Sequence, residues 1–518
     1  MTGKEGQHYR FSEAPIWELQ RAYYEEQGLK AWNNDQVPQY ITSNPMIATA
    51  YAEMIFGFLQ DRAGQGHLSE AVTILELGAG AGRLAFHILK KLSEIIDYAG
   101  TPLPPFRYVM SDLPVKNITS WQQHPSLLPF VEQGILDFAR FDAVQDTELH
   151  LVHAKLSIKP GDLQQPLLLV ANYFFDSIPQ ELIYVDEGKI FECEVSIQYS
   201  ESAGSDNPSD VLGTIIPQYH YVRAANYEVE TYPYHDVIKL YQQKLEDSHI
   251  LFPVVGLSCL ERLAKLSTEG FVLLTADKGD HRIENWEFAE PPLLIHHGSF
   301  SLTANYHAIQ HMLEQKGAYS LFTTHHYKNL NIGCILMLDA PMSYTNTRLG
   351  YKRFIERFGP DDFFSMKEWM DQELDTMGLQ QILAFWRLGG YDAEWFIHSA
   401  EQISELLPDA SDEEMLDLQQ GIRLMWTGYY PMEQSYDLSL DAGLLLYEMD
   451  KFEEALAYLE RSMHANTEEP LASVLYSMAI CNYELGAEGA ALDYARRALA
   501  VEPDNEVVLE LITALSED

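Results

Sequence analysis

Val72-Thr73-Ile74-Leu75-Glu76-Leu77-Gly78-Ala79-Gly80-Ala81-Gly82-Arg83-Leu84 decides how this chain is read. An apolar run ends in an acid and breaks into three glycines at alternate positions. A helical apolar pattern, Leu84 to Leu92, follows at once. The pattern predicts a buried parallel strand, a tight turn and a helix N-terminus, which together hold a nucleotide-like ligand at the carboxyl edge of a sheet. Glycine permits the sharp turn, and without a Cβ it lets the backbone approach a ligand closely.

The spacing is G-A-G-A-G, whereas the dinucleotide fingerprint is G-x-G-x-x-G with a pyrophosphate over the helix. A ligand without phosphates does not need that third-glycine spacing. S-adenosylmethionine is such a ligand, and Glu76 is an acid suited to its cationic end. A nicotinamide or flavin is the competing reading. Later segments agree with a nucleoside site. Phe106 to Asp112 reads as a second strand, and Asp112 is placed to accept from ribose hydroxyls. Leu136 to Ala143 reads as a third, with Asp142 as an acceptor for an adenine amino group. Leu167 to Asn172 and Phe271 to Asp277 read as fourth and fifth strands, each with a polar end at the same edge.

The chain has 518 residues, too many for one ordinary core. No apolar run approaches a membrane span, and the start, Met1 to His8, lacks a signal-peptide hydrophobic region. A soluble cytoplasmic protein is expected. Cys193, Cys259, Cys334 and Cys481 form no C-x-x-C pair, so buried, reduced thiols are expected rather than zinc or disulfides. The neighbours His296-His297 and His325-His326 point to opposite faces if they lie on strands, so no metal site is expected. A net charge of −43 argues against nucleic acid and is compatible with a basic partner or with solubility alone.

Four regions are expected. Residues 1–70 form a helical N-terminal segment, with Pro45 starting a helix. Residues 71–341 form an α/β domain with a mostly parallel Rossmann-like sheet and helices on both faces. Within it, about 190–250 reads as a β-rich insertion or lid beside the active edge, including the polar loop 201–209. Residues 342–376 read as a linker, with Gly359-Pro360-Asp361-Asp362 as a break and an aromatic content that suggests it packs on something. Residues 377–518 carry an internal repeat: Tyr447, Asp450, Phe452, Ala455 and Leu459 are answered 36 residues later by Tyr483, Gly486, Ala491 and Ala495. A degenerate copy is suggested at Leu388 to Asp392. This resembles the tetratricopeptide repeat and predicts an all-α solenoid whose concave face binds peptides. Residues 401–518 hold 26 Asp and Glu against 5 Lys and Arg, which suits either a groove for a basic partner or a solvated face.

Four segments resemble the MidA-type methyltransferases, the family of mitochondrial complex I assembly arginine methyltransferases. They are Ile41 to Pro45, Glu76 to Ala85, Ala171 to Pro179, and His297 to Tyr306. Their order matches the family's over roughly residues 15–340. Tyr173 and Ser301 stand where the family has acids, and Asn305 stands where it has His. The resemblance implies a class I methyltransferase fold, S-adenosylmethionine as cofactor and S-adenosylhomocysteine as product. It also implies a protein or peptide substrate methylated on an arginine nitrogen. The three departures are expected on the substrate side.

A guanidinium acceptor must be held by carboxylates. Asp176 is the first catalytic candidate, with Asn172 orienting the acceptor and the aromatics of Tyr173 to Phe175 enclosing a flat cation. Asp277 and Glu181 are secondary candidates. The bland reading of Asp176 is a helix N-cap. Two other functions fit the same residues: a methyltransferase acting on a small molecule, and an assembly factor that binds the cofactor for stability.

Overall fold

The computed structural model describes residues 7–33, 40–199, 208–297, 299–432, 436–465 and 471–517. Most of the polar loop 201–209, Gly298 of the fourth family segment and the first six residues lie outside these. The chain divides into two compact units, 1–365 and 366–518.

The first unit is built on a nine-stranded mixed sheet. Its strands are β1 (Val72–Leu77), β2 (Phe106–Asp112), β3 (Leu136–Arg140), β4 (Leu149–Leu151), β5 (Leu156–Ile158), β6 (Leu167–Asn172), β7 (Phe271–Asp277), β8 (Tyr319–Leu321) and β9 (Asn331–Met337). Their order across the sheet is β8-β9-β7-β6-β1-β2-β3-β4-β5. The five middle strands, β7 to β3 in that order, are parallel, and antiparallel pairs flank them. The strands are near-continuous apolar runs because they are buried on both faces; every residue of β1 and β7 is buried. All five strands expected from the sequence are present, and β9 closes the sheet where expected. Since β1 lies between β2 and β6, connections leave it in opposite directions. That switch opens a crevice at the carboxyl ends of β1 and β6.

Three helices frame the crevice: α1 (Pro15–Gln27), α2 (Pro45–Gly64) and α3 (Arg83–Ala99). Pro45 starts α2, and the Asn44 side chain accepts from the amides of Met46 and Ile47. Gly82, at φ +86°, turns the chain from the loop into α3.

The β-rich insertion expected at about 190–250 is present as a sheet, and none of its described residues lines the crevice. Strands Glu181–Asp186, Lys189–Tyr199, Ile215–Arg223 and Ser248–Phe252 pair antiparallel with one another in a second sheet, which Tyr9–Arg10 joins. Their apolar alternation packs into the common core of the unit. The start of the expected linker, 342–376, packs on the domain, as its aromatic content suggests. A helix, Thr345–Tyr351, begins under Asp61, whose carboxylate accepts from the backbone and side chains of both Asn346 and Thr347. It lies close on α2: a Cβ at Gly57 would stand 2.7 Å from the Asn346 carbonyl, and one at Gly350 would stand 3.2 Å from Met54 Cα.

The second unit is helical throughout its regular elements. Helices Leu438–Glu448 and Phe452–Ala465 pair, as do Ala472–Glu484 and Glu488–Val501. The corresponding turn residues Asp450 and Gly486 both have positive φ, +58° and +75°. At Leu388 to Asp392 a similar turn joins Leu379–Leu388 to Ala393–Leu406. Among the described residues no helix is long and apolar enough to cross a membrane. All four cysteines are buried and free.

Candidate functional site

A cavity of about 330 Å³ occupies the crevice at the switch point. Gly78, Gly80 and Gly82 line it, all in the left-handed region at φ +66°, +56° and +86°. Only glycine takes three such turns in five residues without strain. At Gly80 space is short as well: a Cβ would meet the Trp32 ring at 3.1 Å.

Glu76, Asp112, Asp142, Asn172 and Asp176 also line the cavity, so every residue singled out as a primary candidate is gathered here. Glu76 is buried and accepts from the Tyr108 hydroxyl at 3.0 Å. Burial pushes its carboxyl up to about 8, with the Tyr108 bond pulling down and the Asp112 charge adding a further push upward. Asp112 accepts from the amides of Gly80 (3.0 Å) and Leu113 (2.8 Å) and from Asn117 Nδ2 (3.0 Å). It therefore braces the glycine loop. Asp142 follows β3 in a turn. Its carboxylate accepts from the Val144 amide (3.0 Å), from Gln145 Nε2 (3.1 Å) and from Arg21 of α1.

Asn172 ties the end of β6 to the N-terminal segment. Its Oδ1 accepts from the Tyr51 hydroxyl at 2.7 Å, and its Nδ2 donates to the Thr42 carbonyl at 3.1 Å. Tyr173 follows at φ +47°, strained for a non-glycine residue. Asp176 is 3% exposed, and no helix begins after it, so it is not an N-cap. Its amide donates to Asp277 Oδ2 at 3.2 Å, yet neither Asp176 Oδ1 nor Asp277 Oδ1 has a partner. Burial pushes Asp176 up to about 7 against the pull of Lys278. Burial and the Asp176 charge hold Asp277 well above the usual carboxylate range. Two carboxyls this close and this dry do not ionise together.

Glu181 belongs elsewhere. It lies in the second sheet, held by Arg10 at 2.8 Å and Ser12 at 2.8 Å, and lines no part of the cavity. Ser301 does line it, but Asn305 does not. Asn305 instead caps the helix Tyr306–Glu314 by accepting from the Ala308 amide at 2.9 Å. Helical spacing over Glu18 to Glu25 is borne out by α1, but sequence reasoning missed that this helix supplies Trp17, Gln20, Arg21 and Tyr24 to the cavity wall. Among the described residues no His, Cys, Asp and Glu cluster could hold a metal.

The site suits S-adenosylmethionine on three counts. The glycine cradle leaves no room for a Cβ at Gly80. A dry acid, Glu76, lines the cavity beside the glycine loop. The wall mixes aromatic and acidic side chains. No curated protein matches the chain in sequence. Two solved structures from Burkholderia thailandensis are similar at low identity. One, an uncharacterized protein, is 13% identical with a TM-score of 0.41, over 65% of this chain and 90% of that one. The other is bound to S-adenosyl-homocysteine and is 14% identical with a TM-score of 0.42, over 67% of this chain and 91% of that one. Residues 58–332 match the family model described as "Putative S-adenosyl-L-methionine-dependent methyltransferase". That span covers the glycine loop and eight of the nine strands whole, and the chain belongs to this family of S-adenosylmethionine-dependent methyltransferases.

Proposed function

We propose that the chain methylates a nitrogen on a protein or peptide, an arginine side chain above all, as the MidA-type enzymes it resembles do. The observation that carries this reading is the Asp176 carboxyl, which is buried, lines the cavity and has one oxygen without a partner. A guanidinium is a planar cation with several donors, and it matches such a carboxyl better than a neutral acceptor does.

Bound S-adenosylmethionine supplies a methyl group made electrophilic by its sulfonium. The chain's residues do the rest. Glu76, Gly78, Gly80, Gly82, Asp112 and Asp142 are assigned to holding the cofactor, with Asn172 at its edge. Asn172 also fixes the strand end from which Asp176 projects. Asp176, near 7, is poised to take the proton that the acceptor nitrogen sheds, and Asp277 behind it keeps that proton exchangeable. The aromatic side chains of α1 exclude water and align the partners for in-line transfer. We assign the helix pairs of 377–518 to a tetratricopeptide-like surface that recruits a basic substrate or partner.

The test is transfer from labelled S-adenosylmethionine into a lysate of the source cell, separated by size. Label in a protein band, with methylarginine in its acid hydrolysate, is the expected result. Label confined to small molecules would replace this reading with small-molecule methylation. Cofactor binding without any transfer would favour an assembly factor.

A further inference from the structure

Three side-chain oxygens in the wall of the cavity are buried and have no partner: Asp176 Oδ1, Tyr173 Oη and Gln20 Oε1. Asp176 and Tyr173 come from the turn after β6, and Gln20 comes from α1. Leaving a buried polar atom unsatisfied is costly, so three in the lining of one cavity point to a ligand that completes them.

Gln20 is the most tightly defined. It is 3% exposed. Its Nε2 donates to the Phe300 carbonyl at 2.8 Å and to Ser299 Oγ at 3.3 Å. A carbonyl accepts only from the NH2 end of an amide, so the Phe300 bond fixes which way the side chain faces. Oε1 is thereby turned away as a pure acceptor. Nearby, the Tyr24 phenol lies beside the Ser299 hydroxyl, and burial with the Asp176 and Asp112 charges pushes its pKa up. Trp17 and Phe300, with ring centroids 5.2 Å apart, complete an aromatic wall around Gln20. The α1 cation, Arg21, is committed to Asp142, and Lys278 is exposed.

We infer that Gln20 reads the acceptor: its Oε1 takes one N–H of a substrate guanidinium whose opposite edge is held by Asp176. This rests on the arginine reading above and adds a specificity residue from outside the sheet. An acceptor oxygen and a carboxyl in one cavity with aromatic side chains in its wall suit a flat cation with donors on two edges. A lysine ammonium carries its donors at one point and cannot span both.

The test uses the full chain loaded with S-adenosyl-homocysteine, with N-acetyl-arginine amide and N-acetyl-lysine amide as probes in calorimetry. The arginine probe is expected to bind wild type more tightly than the lysine probe does. In Gln20→Met its Kd is expected to rise about tenfold to a hundredfold with S-adenosyl-homocysteine affinity unchanged, measured well below a thermal midpoint that falls with the loss of the Phe300 bond. Gln20→Ala serves in its place if the first variant does not fold. Equal affinity of variant and wild type for the arginine probe overturns the assignment, as does equal affinity of wild type for the two probes. Failure of wild type to bind S-adenosyl-homocysteine is a separate outcome, which overturns the cofactor site and this inference with it.

Discussion

Glu76 gives a stability prediction whose sign runs opposite to that of most carboxylates. Its carboxyl rises from 4.5 to about 8 on folding, chiefly because it is buried. Between those values the folded chain binds more protons than the unfolded chain. Stability from this group is therefore complete below about 4.5, falls as pH rises, and levels off above about 8. Each pH unit is worth about 1.4 kcal/mol, so the full loss is on the order of 5 kcal/mol. Glu76→Gln keeps an acceptor for the Tyr108 hydroxyl and cannot ionise. The variant should match wild type near pH 5 and exceed it by a few kcal/mol at pH 9. Asp176 and Asp277 are present in both proteins, so their similar pH dependence cancels in the difference. A chain of two units need not unfold in one step, so the readout should be local. Hydrogen exchange of the β1 amides, compared between the two proteins at each pH, removes the intrinsic exchange rate. A difference that stays flat from pH 5 to 9, or one that favours wild type as pH rises, would refute the argument.

Three further outcomes are expected. Gly80→Val should reduce S-adenosylmethionine affinity at least a hundredfold by calorimetry, because the residue sits at φ +56° with Trp32 at 3.1 Å from any Cβ; wild-type affinity in that variant would show that the glycine loop is not the cradle. Binding of S-adenosylmethionine near pH 7 should release a proton, since Glu76 is mostly protonated in the free protein and ionises beside a cation; identical binding heats in buffers of different ionisation enthalpy would count against that pairing. Asp61→Ala should destabilise the first unit by roughly 2–4 kcal/mol, because one carboxylate caps the helix Thr345–Tyr351 and satisfies four donors. A thermal midpoint unchanged within a degree would show that this junction contributes nothing.

What was legible in the sequence was what is local. The glycine loop, its strand and its helix lie within about thirty residues, and their apolar and glycine patterns carry the information directly. The later strands followed because buried parallel strands read as apolar runs with polar ends. The roof did not follow. Gln20 meets Phe300 and Arg21 meets Asp142 across 280 and 121 residues, and no periodicity records such a meeting. The segment after 342 read as a linker because it is polar and mixed, while its close fit depends on Gly350 meeting Met54 of another helix. Asn305 was legible from its local pattern alone. An Asn just before an apolar helical run is an N-cap signal, and capping is its use.

The position of α1 bears on the order in which this protein can be made. Synthesis delivers α1 long before its partners Ser299 and Phe300, which leave the ribosome some 280 residues later. At typical elongation rates of roughly 5–20 residues per second, the helix waits tens of seconds for its seat. During that interval the strands β1 to β7 can pair, but the cavity has no roof. The last wall segment, Ser299 to Ser301, therefore completes the cavity well after the residues of the glycine loop have been made.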